Sequence, residues 1–325
     1  MKNKVEKLQL SICIPLFNEA ESLPELHAWI TNVMNKNSYT YEIIFVDDGS
    51  IDNSWGIVDG LAKKDTAVKG IKFRRNYGKS AGLYVAFEAA QGDVIITMDA
   101  DLQDSPDEIP GLYKLITDEN FDLVSGWKQK RYDPITKTLP TKLFNAATRR
   151  ISKIKLNDFN CGLKAYRLEV VQNVEIYGEM HRYIPFLAKN KGFDRIGEKV
   201  VQHQARKYGT TKFGLDRFVN GFLDLGTLAV MGKFGRRPMH FFGAAGSLMF
   251  LLSVALLAYL GGFKLYSLSQ GMEVGLITEN PLFYILLTLT ILGVQLFAVG
   301  FMSELLLRVS TKKHDYTVDA KIGLD

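Results

Sequence analysis

Two stretches without a charged residue limit what this chain can become. From Pro238 to Phe263 there is no Asp, Glu, Lys or Arg across 26 residues, and Asn280 to Ser303 is a second such run of 24. At about 1.5 Å of rise per residue, each can cross a hydrocarbon core about 30 Å thick as a helix. Buried helices of soluble proteins rarely run so far without a charge, so two membrane spans are the expectation. Between Arg206 and Arg237 there are seven Lys or Arg against two Asp, and Arg308, Lys312 and Lys313 follow the second run. The intervening "KLYSLSQGMEVGLITE" has one Lys and two Glu. Basic flanks stay on the cytoplasmic side, which predicts a multi-pass protein of the inner (plasma) membrane. The large N-terminal part and both termini are expected on the cytoplasmic side and the short loop outside.

The remaining bulk properties mainly exclude. A net charge of +5 over 325 residues is too mild to call for nucleic acid. The N-terminus lacks the apolar core and small-residue cleavage site of a signal peptide. Cys13 and Cys161 are the only cysteines, which suits a reducing compartment without a thiol metal or redox motif.

Residues 1 to about 130 alternate apolar strands with helical stretches. "LQLSICIPLF", "YEIIFVDD", "VKGIKF", "DVIITMDA" and "FDLVSG" read as strands. Helices are expected at 21–35, 52–64 and 79–90, and a basic one at 139–154. This alternation predicts an α/β fold with a mostly parallel, doubly covered sheet. The expected organisation is a catalytic domain over 1–213, an amphipathic juxtamembrane segment over 214–237, the spans over 238–303 and a basic tail over 304–325.

In such a sheet, ligands collect beyond the carboxyl ends of the strands. Polar residues stand at four of those ends: Asn18 and Glu19, Asp47 and Asp48, Arg74 to Asn76, and Asp99 with Asp101. In extended backbone the carboxylates of Asp99 and Asp101 face the same way. They suit Mg²⁺ or Mn²⁺ bridging to phosphate, with Gln103 as a further oxygen ligand. "SPDE", residues 105–108, reads as a capping box with Ser105 as N-cap and Glu108 reaching back; Asp104 is left without a role. Gly78-Lys79-Ser80 is not a P-loop, because the motif needs a glycine where Phe73 stands. Lys79 at a helix start can still meet a phosphate.

Taken together, "IPLFNEAESL", "IIFVDDGSIDNS", "RNYGKSAGL" and "DADLQDSPDEI" resemble the GT-A glycosyltransferases of family 2. "DFNCGLKAYR", "ARKYGTTKF" and the two spans narrow the resemblance to polyprenyl-phosphate glycosyltransferases such as the bactoprenol glucosyltransferases and relatives of dolichol-phosphate mannose synthase. No Gln-x-x-Arg-Trp motif of the processive synthases occurs. The resemblance implies that Pro15, Glu19, Asp47 and Asp48 line the nucleotide pocket, and that Asp99, Asp101 and Gln103 hold the cation on its diphosphate; Lys79, from its helix start, and Asp99 are counted with the nucleotide-binding residues. It places Arg131, Arg206 and Lys212 near the phosphates and makes Asp158 the position proposed as base. The implied partners are a nucleotide sugar, undecaprenyl phosphate and the lipid membrane, with a homo-oligomer left open. The expected donor is UDP-glucose or UDP-N-acetylglucosamine, with GDP-mannose as an alternative. Rival readings are a metal-dependent nucleotidyltransferase and a non-catalytic lipid-binding protein.

Overall fold

The computed structural model describes residues 8–129, 145–205, 207–208, 238–309 and 316–324. They divide into two compact units, Met1–Gly226 with Asp315–Asp325, and Thr227–His314. Arg131, Arg206, Lys212 and the expected segment at 214–237 lie outside the described residues.

The first unit is built on an eight-stranded sheet: β1 (Leu10–Leu16), β2 (Tyr41–Asp47), β3 (Val68–Phe73), β4 (Val94–Thr97), β5 (Leu123–Trp127), β6 (Lys164–Arg167), β7 (Ile196–Val200) and β8 (Val318–Ile322). Their order across the sheet is β7-β5-β6-β4-β1-β2-β3-β8. β1 pairs in parallel with β2 and β4, β2 with β3, and β5 with β7. β6 runs antiparallel to β4 and β5, and β8 antiparallel to β3. The apolar run in β1 follows from cover on both faces. Leu10, Ile12 and Ile14 join one core cluster, while Cys13 joins the other with Ile44, Val46 and Ile95. Both cysteines are free and buried.

α1 (Leu23–Lys36), α2 (Ser54–Ala62) and α4 (Ile109–Thr117) feed the first cluster. α3 (Lys79–Ala89), α6 (Leu168–Asn173) and α7 (Ile184–Asn190) feed the second, and α5 spans 145–152 among the described residues. α1 alone buries Leu23, Leu26, Ile30, Val33 and Met34, each contributing about 1.5–3 kcal/mol. The capping box at Ser105 does not form. A 3₁₀ turn, Pro106–Glu108, precedes α4, and Ser105 makes no side-chain cap. Glu108 instead pairs with Lys199 and accepts the Gln202 N–H at 3.2 Å. A charged partner across the sheet outcompetes a local cap.

The second unit is a helical hairpin of Ala244–Ser269, entered through the π-turn Met239–Gly243, and Pro281–Val309. Both helices are long and apolar enough to cross a membrane. Leu248, Leu251, Leu265 and Leu306 are 69%, 65%, 71% and 67% exposed, which does not fit helices buried in a soluble core. The helices meet at glycine: a Cβ on Gly246 would lie 2.5 Å from the Gly293 carbonyl oxygen, and one on Gly293 2.8 Å from that of Gly246. Small residues of this kind are what close packing between membrane helices requires. Ser253 and Thr290 hydroxyls add a 2.9 Å hydrogen bond nearby.

Candidate active site

Strands β1 to β4 end on one edge, and their loops are tied to one another. The Asn18 N–H donates to Ser50 Oγ at 2.9 Å, and its Oδ1 accepts the Ile51 N–H at 2.9 Å. The Glu19 N–H donates to Ser54 Oγ at 2.9 Å, and its carboxylate accepts from Ser22 Oγ at 3.2 Å. Asp47, fully buried at the end of β2, accepts the Ser50 N–H at 2.8 Å. Asp48 turns to the β3–α3 loop and accepts from the N–H groups of Tyr77 at 2.6 Å and Gly78 at 2.9 Å. Burial raises the Asp48 carboxyl above its usual value, against the pull of those two N–H groups. Gly49, at φ +73°, lies so near Arg75 that a Cβ would come within 2.6 Å of its carbonyl carbon. Pro15 contributes the wall under α3, where a Cβ on Gly82 would lie 3.1 Å from the proline ring.

Lys79 opens α3 and its ammonium pairs with the Asp99 carboxylate. Burial works against charge on Asp99, but the cations of Lys79 and Lys128 hold its carboxyl well below the usual carboxylate range. Asp99 and Asp101 are not presented on extended backbone, as their spacing predicts. β4 stops at Thr97, residues 100–101 form a turn, and Leu102 adopts φ +61°. A bulky residue in that conformation is uncommon and concentrates at functional sites. The turn leaves Asp101 7% exposed, with its Oδ1 accepting the Gln103 N–H at 3.2 Å. The Gln103 carbonyl in turn accepts from Gln204 N–H at 3.0 Å.

Asp104 now has a place. It is fully buried, pairs with Lys128 at 2.7 Å and bridges in backbone register to His203. Burial opposes the charge on Lys128, but the Asp104 carboxylate raises its pKa above the ordinary lysine value.

The loop before β6 completes the group. Asp158 is 1% exposed and accepts the Asn160 N–H at 3.0 Å, while its own N–H donates to Glu198 at 2.9 Å. Gly162 faces Asp99, since a Cβ there would lie 2.6 Å from Oδ2. A narrow pocket beside it is lined by Lys79, Asn160, Gly162, Lys164, His181 and Arg182. Lys164 is 3% exposed and donates to the Cys161 carbonyl; burial lowers its pKa. His181 Nδ1 lies 3.1 Å from Ser80 Oγ, and burial followed by Lys79 pushes its pKa well below the usual value. Lys128, Lys164 and His181 were not legible as site residues. The one available signal was a lysine inside the apolar "GLKAY".

A divalent cation fits these residues on chemical grounds. Among the described residues no group of three or more His, Cys, Asp or Glu stands within ligating reach; the candidate carboxylates are Asp99 and Asp101, which follow the end of β4. Mg²⁺ is commonly held in this manner, by one or two carboxylates together with substrate phosphates. The Lys79 ammonium already marks the place of a positive charge on Asp99.

Residues 11–174 match Glycosyl transferase family 2. The dodecaprenyl-phosphate galacturonate synthase of Rhizobium johnstonii is 33% identical over 94% of this chain and 89% of its own length. The undecaprenyl-phosphate 4-deoxy-4-formamido-L-arabinose transferase of Shewanella sediminis is 35% identical over 97% of this chain and 93% of its own. Among solved structures, Mycobacterium tuberculosis glucosyl-3-phosphoglycerate synthase bound to UDP superposes with a TM-score of 0.53 at 19% identity, over 69% of this chain and 80% of that one. The same enzyme with Mn²⁺, UDP and glucosyl-3-phosphoglycerate gives 0.54 at 17% identity, again over 69% and 80%. The chain belongs to glycosyl transferase family 2. It is a glycosyltransferase of the GT-A fold, and the nucleotidyltransferase and non-catalytic readings fall away.

Proposed function

We propose that this enzyme transfers a sugar from a nucleotide sugar to the phosphate of a polyprenyl carrier at the membrane surface. The observation that carries the reading is Asp99 and Asp101 at the end of β4, with Lys79 on Asp99, beside a pocket rich in basic side chains. The relatives named above, both acting on polyprenyl phosphates by name, support the acceptor class. Their sugars are galacturonate and 4-deoxy-4-formamido-L-arabinose, which supports a modified pyranose as a donor candidate beside glucose and N-acetylglucosamine. UDP in the solved neighbour supports a uridine nucleotide.

The acceptor phosphate oxygen attacks the anomeric carbon. As the new C–O bond forms, the bond to the nucleoside diphosphate breaks and its electron pair leaves on the β-phosphate, inverting the carbon. Asp99 and Asp101, with Gln103 near them, would hold Mg²⁺ or Mn²⁺ on that diphosphate, where such an ion neutralises developing charge as a Lewis acid. Lys79 and the buried Lys164 add positive charge on that side of the site, where preorganised charge stabilises the transition state. Arg131, Arg206 and Lys212 are assigned to the phosphates by family resemblance. A phosphate monoester has a second pKa of about 6 and is largely dianionic at neutral pH, so the acceptor needs no strong base. Asp158, buried and holding the Asn160 N–H, orients the loop that carries Gly162.

Topology agrees with this scheme. β8 follows both long helices in sequence yet lies in the same sheet as β3, which supports both ends of the chain on one side of the bilayer. The basic flanks make that side the cytoplasm. Asp101→Asn tests the site: transfer is expected to fall by at least about 10²-fold with weakened Mg²⁺ or Mn²⁺ dependence. Near-parental turnover with parental metal dependence contradicts the assignment.

A further inference from the structure

We propose that the C-terminal tail, residues 316–322, is a positioning element for the donor pocket and that Tyr316 is its key side chain; the inference rests on the donor-site reading above. β8 extends the sheet beyond β3, pairing Gly70 with Ile322 and Phe73 with Val318 through a register shift at Lys72 and Phe73. The tail then continues past the end of β3 onto the loop that leads to α3. The Arg74 N–H donates to the Thr317 carbonyl at 3.3 Å, and the Thr317 N–H donates to Tyr77 Oη at 3.4 Å. Arg74 Nε lies 3.4 Å from Asp319 Oδ1.

Rings lock the same junction. Tyr316 lies 5.8 Å from Phe73, 5.5 Å from Tyr77 and 5.9 Å from Tyr84, centroid to centroid, and Tyr77 itself packs 5.3 Å from Phe73. The Arg75 guanidinium stacks over Tyr77 at 4.7 Å. These separations lie within the range of favourable aromatic pairs.

What the tail holds is the loop that meets the donor acids. Tyr77 and Gly78 give their N–H groups to Asp48, the backbone of Arg75 packs on Gly49, and the next residue, Lys79, pairs with Asp99. The tail therefore holds this loop at Arg74 and Tyr77, and the loop in turn holds Asp48 through the N–H groups of Tyr77 and Gly78. Residues 316–322 come after both long helices in the chain, so the far C-terminal end supports the nucleotide pocket built by the first strands.

The test uses the full chain in detergent, with Tyr316→Ala, Tyr316→Leu and Tyr316→Phe. UDP affinity is measured by calorimetry, and KM is measured separately for the nucleotide sugar and for undecaprenyl phosphate. Tyr316→Ala and Tyr316→Leu are expected to weaken UDP binding and raise the donor KM roughly tenfold, the equivalent of losing one or two ring contacts. The acceptor KM should stay unchanged, and Tyr316→Phe should restore both donor parameters. Leucine keeps apolar bulk, so it supplies a folded variant where alanine does not. Parental UDP affinity in Tyr316→Leu, or an equal change in acceptor KM, overturns the proposal. A parent chain that itself fails to bind UDP overturns the donor-site reading instead.

Discussion

Replacing Gly162 by alanine adds a single methyl group opposite Asp99. An ideal Cβ at that position lies 2.6 Å from Oδ2, 2.7 Å from Cγ and 2.9 Å from Oδ1 of Asp99. Ordinary contact begins near 3.4 Å, so the carboxylate must withdraw by about 0.8 Å, the difference between 3.4 and 2.6. Gly162 does not occupy the positive-φ region, so alanine costs nothing in backbone conformation. The whole strain falls on the Asp99 carboxylate and on its pairing with Lys79. A misplacement of about 1 Å in a catalytic constellation costs on the order of 10²-fold in rate, which corresponds to about 2.7 kcal/mol of transition-state stabilisation. Initial rates of sugar transfer, read beside thermal unfolding in the same detergent, separate catalysis from folding. The expected result is a kcat/KM lower by roughly 10²-fold with an unfolding temperature within a few degrees of the parent. Transfer within about threefold of the parent, with the protein folded, would refute the argument that Asp99 must sit where Gly162 lets it.

Other consequences follow from the buried charges. Lys128→Met leaves the Asp104 carboxylate fully buried without its cation and is expected to destabilise by about 3–5 kcal/mol. Asp104→Leu with Lys128→Met should recover most of that loss, because an apolar pair carries no desolvation penalty; denaturant midpoints decide it. His181 is held below its ordinary value of 6.5, so it binds its proton more weakly in the fold than in the unfolded chain. Stability therefore rises with pH through that value and is lost as pH falls below about 6.5. His181→Gln should flatten this part of the stability–pH curve and leave the pH–rate profile unchanged above about pH 6.5; an altered profile there would give His181 a proton-transfer role.

Much of the catalytic unit was legible because its central strands carry an unambiguous pattern. β1, β2 and β4 are apolar on both faces because both faces are covered, and the polar residues that end them could then be read as one edge. The two charge-free runs were equally plain. β6 was not: four residues beginning with lysine carry too little pattern, and its antiparallel course depends on the space between β4 and β5. β8 was hidden for a different reason. "VDAKI" alternates like a solvated tail, and its partner β3 lies more than two hundred residues earlier in the chain. Asp104 could not be interpreted without Lys128, and the local logic of a capping box at Glu108 was overruled by Lys199. Backbone strain at Leu102, which sets Asp101 in place of a simple extended strand end, has no signature in a leucine. Local pattern was readable wherever burial dictated it; pairs made across the sheet were not.

The central claim is transfer from a nucleotide sugar to a polyprenyl phosphate. Membranes carrying the full chain are incubated with undecaprenyl phosphate, Mg²⁺ or Mn²⁺, and a panel of labelled nucleotide sugars that includes UDP-linked uronates, 4-amino-arabinose derivatives, glucose and N-acetylglucosamine. One labelled sugar is predicted to enter the lipid fraction, with one nucleoside diphosphate released for each sugar moved and no transfer when the lipid phosphate is left out. Label that never reaches the lipid with any donor, or that reaches it equally in Asp99→Asn and Asp101→Asn, would contradict the account.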